Sequence, residues 1–142
     1  MTGCRLQPEL VTAIVTFSFC ILLVLSAVFP SSSRAAEGAA VTPDAERGKQ
    51  LFTKRCSGCH SLDTDKEGPR LRNVYSRKAG SIASFKYSDA LKASSIVWDD
   101  ALLDKWLTDT DSLVPNNDMD FHVPNAQERA DIIRFLKVSS GK

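Results

Sequence analysis

Cys56-Ser57-Gly58-Cys59-His60 is the stretch that decides how this chain folds. Cys-x-x-Cys followed at once by His is the attachment pattern for a c-type haem. Three residue steps of helix bring both sulfurs to one edge of the ring, where Cys56 and Cys59 add to its two vinyl groups. His60 then lies under the ring and offers an imidazole nitrogen to the iron. Two other meanings of Cys-x-x-Cys fit less well. A zinc site needs a second pair of Cys or His ligands. The remaining thiols are Cys4 and Cys20, both in an apolar N-terminal segment, and the only other histidine is His122. A thioredoxin-like redox pair expects a strand–helix–strand context, and the residues around Cys56 show no such pattern.

The chain has 142 residues and a formal net charge of +1. Its leading part reads as a targeting segment. Arg5 sits near the start, Leu10 to Phe29 carries no charge, and Pro30, three serines and Arg34-Ala35-Ala36 follow. This is the order of a secretory signal with a small-residue cleavage site. The apolar stretch is also long enough to span a bilayer if it is retained. Residues 1–36 are therefore expected to be a signal peptide or an uncleaved membrane anchor, and either places the rest outside the cytoplasm, in the periplasm. Residues 37–42 read as a linker, 43–138 as the folded domain and 139–142 as a tail. Removing residues 1–36 takes away Arg5, Arg34 and Glu9, leaving 16 basic and 16 acidic residues. A near-neutral chain of this kind gives no sign of nucleic-acid binding. A domain this small buries a limited core, which a haem would enlarge.

The folded part reads as all-α. Thr42-Pro43 opens a helix with Thr as N-cap, Pro at the first position and acidic Asp44 and Glu46 in the first turn. Ala45, Gly48, Leu51 and Phe52 share one face, and Gly48 allows a second helix to approach closely. Residues 61–84 hold few regular signals, as expected of loops wrapped on a cofactor. Tyr87 to Ala93 reads as a short helix. A stronger one starts at Asp99-Asp100, with Leu102, Leu103, Trp106 and Leu107 at helical spacing after Trp98. Pro115 and the Asn pair end regular structure. Asn125-Ala126-Gln127-Glu128 forms a capping box in its Asn variant, and Ile132, Ile133, Phe135 and Leu136 give the last helix its apolar face.

A haem held from one side by His60 needs a ligand on the other. The folded part offers Met119 and His122. A lone Met is often core filler, but Met119 lies in a polar loop between Pro115-Asn116-Asn117 and Asp120-Phe121, where filler is less needed. A thioether raises the iron potential and closes the sixth position. His122 is the alternative and would lower the potential.

On these residues the chain resembles class I cytochrome c of the mitochondrial and bacterial c2 type, over roughly residues 43–138. Gly48 and Phe52 match positions of the first helix that pack on Ile132 and Phe135 of the last. Gly68-Pro69 matches the turn whose proline carbonyl accepts the second N–H of the axial histidine. Arg77-Lys78-Ala79-Gly80-Ser81 matches the following loop, and Met119 matches the distal ligand. The resemblance implies N- and C-terminal helices packed crosswise around one covalently bound haem c. It implies that Arg77, Tyr87 and Trp98 hold a buried propionate, and that Trp106 and Asn117 belong to the haem surroundings. It further implies a one-electron carrier in a respiratory or periplasmic chain. A quinol-oxidising complex or a dehydrogenase would be the donor, with an oxidase or another acceptor downstream. A haem enzyme or a gas or redox sensor would instead require a vacant or labile sixth site.

Four features depart from the family pattern. Leu91 stands where many members carry an Asn, Trp106 stands where a Tyr usually sits near the ligand sulfur, and the loop from His60 to Gly68 is short. The fourth is charge. Mitochondrial members ring the exposed haem edge with lysines, whereas Asp99 to Asp120 holds seven acidic residues and only Lys105 as a base. The stretch is either a solvated acidic face or a docking face for a less acidic or basic partner.

Overall fold

The computed structural model describes residues 42–142. The expected targeting segment and the linker up to residue 41 lie outside the described residues. Five helices follow in order: α1 Ala45–Arg55, α2 Asp89–Ala93, α3 Asp100–Thr108, α4 Thr110–Leu113 and α5 Ala126–Val138. Among the described residues there is no strand, only an isolated antiparallel bridge between Lys78 and Val97. None of these helices is long and apolar enough to cross a membrane.

The helix starts show which capping group wins. Thr42 is not the cap of α1. Asp44 is, and its carboxylate accepts from the amides of Glu46 and Arg47 at 2.9 and 3.0 Å. A charged acceptor at the positive end of the helix dipole outcompetes a hydroxyl two residues upstream. Likewise α2 starts after Ser88, whose hydroxyl caps Leu91, so Tyr87 lies outside the helix. Asp99 caps α3 as expected. Beyond it the sequence signals miss α4. Asp109 ends α3 and at once caps the next helix through the amides of Asp111 and Ser112, both at 3.1 Å. Asn125 caps α5 through Glu128 N–H at 3.0 Å. Glu128 does not complete the box; its carboxylate pairs with Arg55 at 2.6 Å.

α1 packs on α5, and α5 also packs on α3. At the α1–α5 crossing a Cβ on Gly48 would lie 1.9 Å from the Asp131 carbonyl oxygen. Phe52 and Phe135 meet beside it with ring centroids 5.4 Å apart. Phe52, Ile132, Ile133 and Leu136 are buried, each contributing about 1.5–3 kcal/mol of apolar transfer. Residues 61–84 are irregular but well tied. Leu71 N–H and Arg72 N–H donate to Ser61 and Leu62 carbonyls, and the amides of Ser76 and Ala79 donate to Trp98 and Ile96 carbonyls at 2.7 and 2.9 Å.

Asp131 is fully buried on α5. It accepts from Arg47, from the Asp44 amide at 2.9 Å and from Gln127 at 2.9 Å, tying the start of α1 to α5. The Arg47 hydrogen bond, aided by those of Asp44 and Gln127, holds its carboxyl below the usual carboxylate range against the opposing effect of burial. A depressed native pKa adds stability that is fully present above the unfolded value of about 3.9 and is lost as pH falls through the native value. Asp131→Asn should lower the melting temperature at neutral pH by roughly 5–10 °C. It should also flatten the loss of stability below about pH 4 relative to the native chain. Thermal melts of both holoproteins across that range check this; parallel curves would exclude the assignment.

Candidate haem site

α1 ends at Arg55, and Cys56 is its C-cap. The attachment motif is thus a turn beyond the helix, not its continuation. The turn stays helix-like because His60 N–H donates to Cys56 O at 2.8 Å, while Cys59 N–H reaches the same carbonyl at 3.1 Å. Ser57 Oγ donates to Thr53 O at 2.6 Å and fastens the turn to α1. Cys56 and Cys59 form no disulfide. Burial pushes the Cys56 thiol up to about 11, the reverse of the activated thiolate of redox pairs.

The His60 ring is fixed from two sides. Nδ1 lies 2.8 Å from Pro69 O. A carbonyl only accepts, so Nδ1 carries the proton and Nε2 keeps its lone pair. Burial lowers the His60 pKa, favouring this neutral form. Beneath the ring a Cβ at Gly68 would lie 2.3 Å from Cε1. Gly68 is therefore needed for close approach, a role its place in a Gly-Pro turn does not disclose. Gly68 N–H also bonds Cys59 O at 2.8 Å, tying the Pro69 turn to the motif.

Met119 arrives from the loop between α4 and α5. Its N–H donates to Asn117 Oδ1 at 2.7 Å, and its carbonyl accepts from Thr110 Oγ1 at 2.6 Å. Asn117 is braced in turn by Nδ2 donating to Val114 O at 3.0 Å. Sequence reading missed Thr110. The run Asp109-Thr110-Asp111-Ser112, an acidic cap followed by hydroxyl and acidic residues, was the available signal.

One cavity of about 400 Å³ collects these groups. Cys56, Cys59, His60, Pro69, Arg77, Tyr87, Trp98, Trp106, Asn117 and Met119 all line it. His122 is exposed and lies outside the lining. Trp98 and Trp106 face each other with centroids 5.4 Å apart. Apolar Phe52, Leu91, Leu103 and Leu107 fill the walls between.

Arg77 tests whether a haem suits this space. Its guanidinium is half-buried, donates to Arg70 O and Arg72 O at 3.0 Å each, and makes no ion pair among the described residues. Burial lowers its pKa. A sheltered cation with only carbonyl partners is costly unless an anion joins it. A haem propionate is such an anion. The residues present fit the group: two thiols, a neutral imidazole, a thioether, a sheltered cation and apolar walls share one space.

The acidic stretch divides in the structure. Asp100 and Asp104 pair with Lys137 and Arg129, both at 2.7 Å. Asp99 and Asp109 cap helices, and Asp111 accepts from Asn117 at 3.3 Å. Only Asp118 and Asp120 line the cavity, both exposed, alongside Glu67, Lys78 and Arg55.

The comparisons with known proteins agree on one family. The family model described as cytochrome c matches residues 45–140. The chain is similar to cytochrome c2 of Rhodomicrobium vannielii, 40% identical over 126 residues that cover 86% of this chain and 96% of that one. It is similar to cytochrome c of Euglena viridis, 40% identical over 97 residues, 66% of this chain and 95% of that one. Among solved structures it matches cytochrome cH from Methylobacterium extorquens at 37% identity and a TM-score of 0.64, covering 67% of this chain and 98% of that one. With the haem-attachment turn, the apolar cavity and the helix crossing already in place, these matches show that the chain belongs to the cytochrome c family.

Proposed function

We propose that Cys56 and Cys59 anchor the haem, that His60 Nε2 and the Met119 thioether are its axial ligands, and that Arg77, Tyr87 and Trp98 receive a propionate. The chain is a monohaem electron carrier with one covalently held haem c, and its partners are redox proteins. The observation that carries the ligand assignment is the shared cavity: a thioether from a distant loop faces the same space as the Cys-x-x-Cys-His turn. Bound haem supplies the one-electron ferric/ferrous couple. The protein's part is to keep His60 neutral and oriented through Pro69, to hold the Met119 backbone, and to exclude water with Trp98, Trp106 and Leu107. A pair of fixed ligands favours electron transfer over small-molecule activation, so the enzyme and sensor readings lack the open position they need.

The periplasm is the proposed location, reached through residues 1–36 as a cleaved signal or a retained anchor. The domain boundaries proposed with it are a linker at 37–42, the haem domain at 43–138 and a tail at 139–142. The donor is proposed to be a quinol-oxidising complex or dehydrogenase, and the acceptor an oxidase or similar protein. Docking is proposed to run through the cavity rim at Asp118 and Asp120, which have no ion pair among the described residues, toward a basic or weakly charged partner face. One set of measurements tests both levels. The mass of the purified holoprotein should include one haem and report the mature N-terminus. The ferrous form should pass its electron slowly to an oxidase with an acidic docking face, with no gain as salt is lowered. Absence of the haem mass would overturn the carrier reading. Fast, salt-suppressed turnover would overturn only the docking reading.

A further inference from the structure

Between Pro115 and His122 no backbone–backbone hydrogen bond ties the chain to the rest of the described residues; the bonds on either side are Val114 N–H to Thr110 O at 2.9 Å and Val123 N–H to Leu107 O at 2.7 Å. Inside that span two side chains hold Met119, the Asn117 amide on its N–H and the Thr110 hydroxyl on its carbonyl. Asn117 is itself part of that loop, though braced on Val114 O at 3.0 Å just outside it. Thr110 is not. It is the first residue of α4, buried at 6% exposure, and with Asp131 one of two buried polar residues among the described residues. Its own position is set by the Asp109 cap that joins α4 to α3, the helix that carries Trp106.

We propose that Thr110 is the positioning residue that holds Met119 against its haem-facing site, through the hydroxyl bond to the Met119 carbonyl. The inference rests on the reading of Met119 as an iron ligand. Thr110 touches neither the iron nor a partner; it sets how often the Met119 loop swings away. A buried hydroxyl-to-carbonyl bond lost without replacement leaves the carbonyl short of a donor, which favours the swung-out loop by about tenfold.

The test is the rate at which imidazole displaces Met119 in the ferric holoprotein, followed by loss of the Met–iron charge-transfer band. Thr110→Val keeps the shape and removes the hydroxyl, and displacement should be about tenfold faster. Thr110→Ser keeps the hydroxyl and should return the native rate. Should the valine variant not take up haem, Thr110→Ala against Thr110→Ser makes the same comparison. A native rate in Thr110→Val, or an equally fast rate in Thr110→Ser, would overturn the proposal, the second because a retained hydroxyl would not have kept the native rate. So would a lowered melting temperature with an unchanged displacement rate, the mark of a merely structural role. Met119→Ala separates the two levels. Its band should be absent; a retained band would remove the ligand reading and this inference together, while a native rate in Thr110→Val beside a band-free Met119→Ala removes only the latter.

Discussion

Met119→Ala is expected to abolish the Met–iron charge-transfer band, open the sixth position to added imidazole or cyanide, and lower the reduction potential by about a few tenths of a volt. Axial ligands span roughly 0.8 V across haem proteins, and a thioether lies toward the high end. The structure explains why no neighbour should replace the lost thioether. The residues beside Met119 are Asp118 and Asp120, His122 is exposed and off the cavity wall, and the walls nearby are Trp106, Leu107 and Phe121. The fold should survive, since Met119 is only partly buried and the α1–α5 crossing does not involve it. Optical titration and potentiometry of the ferric holoprotein decide the matter. An unchanged band and potential would mean that another residue ligates the iron.

Gly48→Ala should have the largest effect on stability, a loss of about 3 kcal/mol. Two effects oppose one another. In an exposed helix interior the change from Gly to Ala gains about 1 kcal/mol. Here the added methyl would stand 1.9 Å from the Asp131 carbonyl oxygen, 2.6 Å from its carbon and 2.9 Å from Phe135 Cβ. The first two are backbone atoms of α5 and cannot turn aside. The helices must separate, which loosens the Phe52–Phe135 pair and the bonds from Arg47 and Asp44 to Asp131. Overpacking against backbone therefore exceeds the propensity gain. Denaturant unfolding of the holoprotein measures the difference, and a neutral or stabilising result would show that the crossing is looser than the structure has it.

Much of the site was legible before any coordinates. The attachment turn carries a chemistry that few residue types supply, so its identity and spacing sufficed; Pro69, Arg77 and Met119 were expected from the family resemblance or from the shortage of alternatives, and all three line the same cavity. The capping residues were legible as a class, but the choice between Thr42 and Asp44 was not, because it depends on which acceptor reaches the free amides. Asp109 shows the same limit. Its dual role as the end of α3 and the start of α4 is a matter of backbone path, whereas the end of regular structure at Pro115 was legible, since α4 stops at Leu113. The acidic stretch misled in another way. Seven like charges in sequence looked like one surface, yet four of them serve α3, α4 and α5 by pairing or capping.

Residue order alone is enough for the cofactor and the all-α class, because covalent attachment depends on atom types at a short, fixed spacing and helices on apolar periodicity; His60 and Met119 are the side chains proposed for the iron. Only the tertiary structure decided what holds those side chains in place. Thr110 on the Met119 carbonyl, Gly68 under the His60 ring and Asp131 between Arg47 and Asp44 are contacts between segments far apart in the chain or on unrelated turns. Their strength depends on distances of a few tenths of an ångström, which no spacing in a linear sequence encodes.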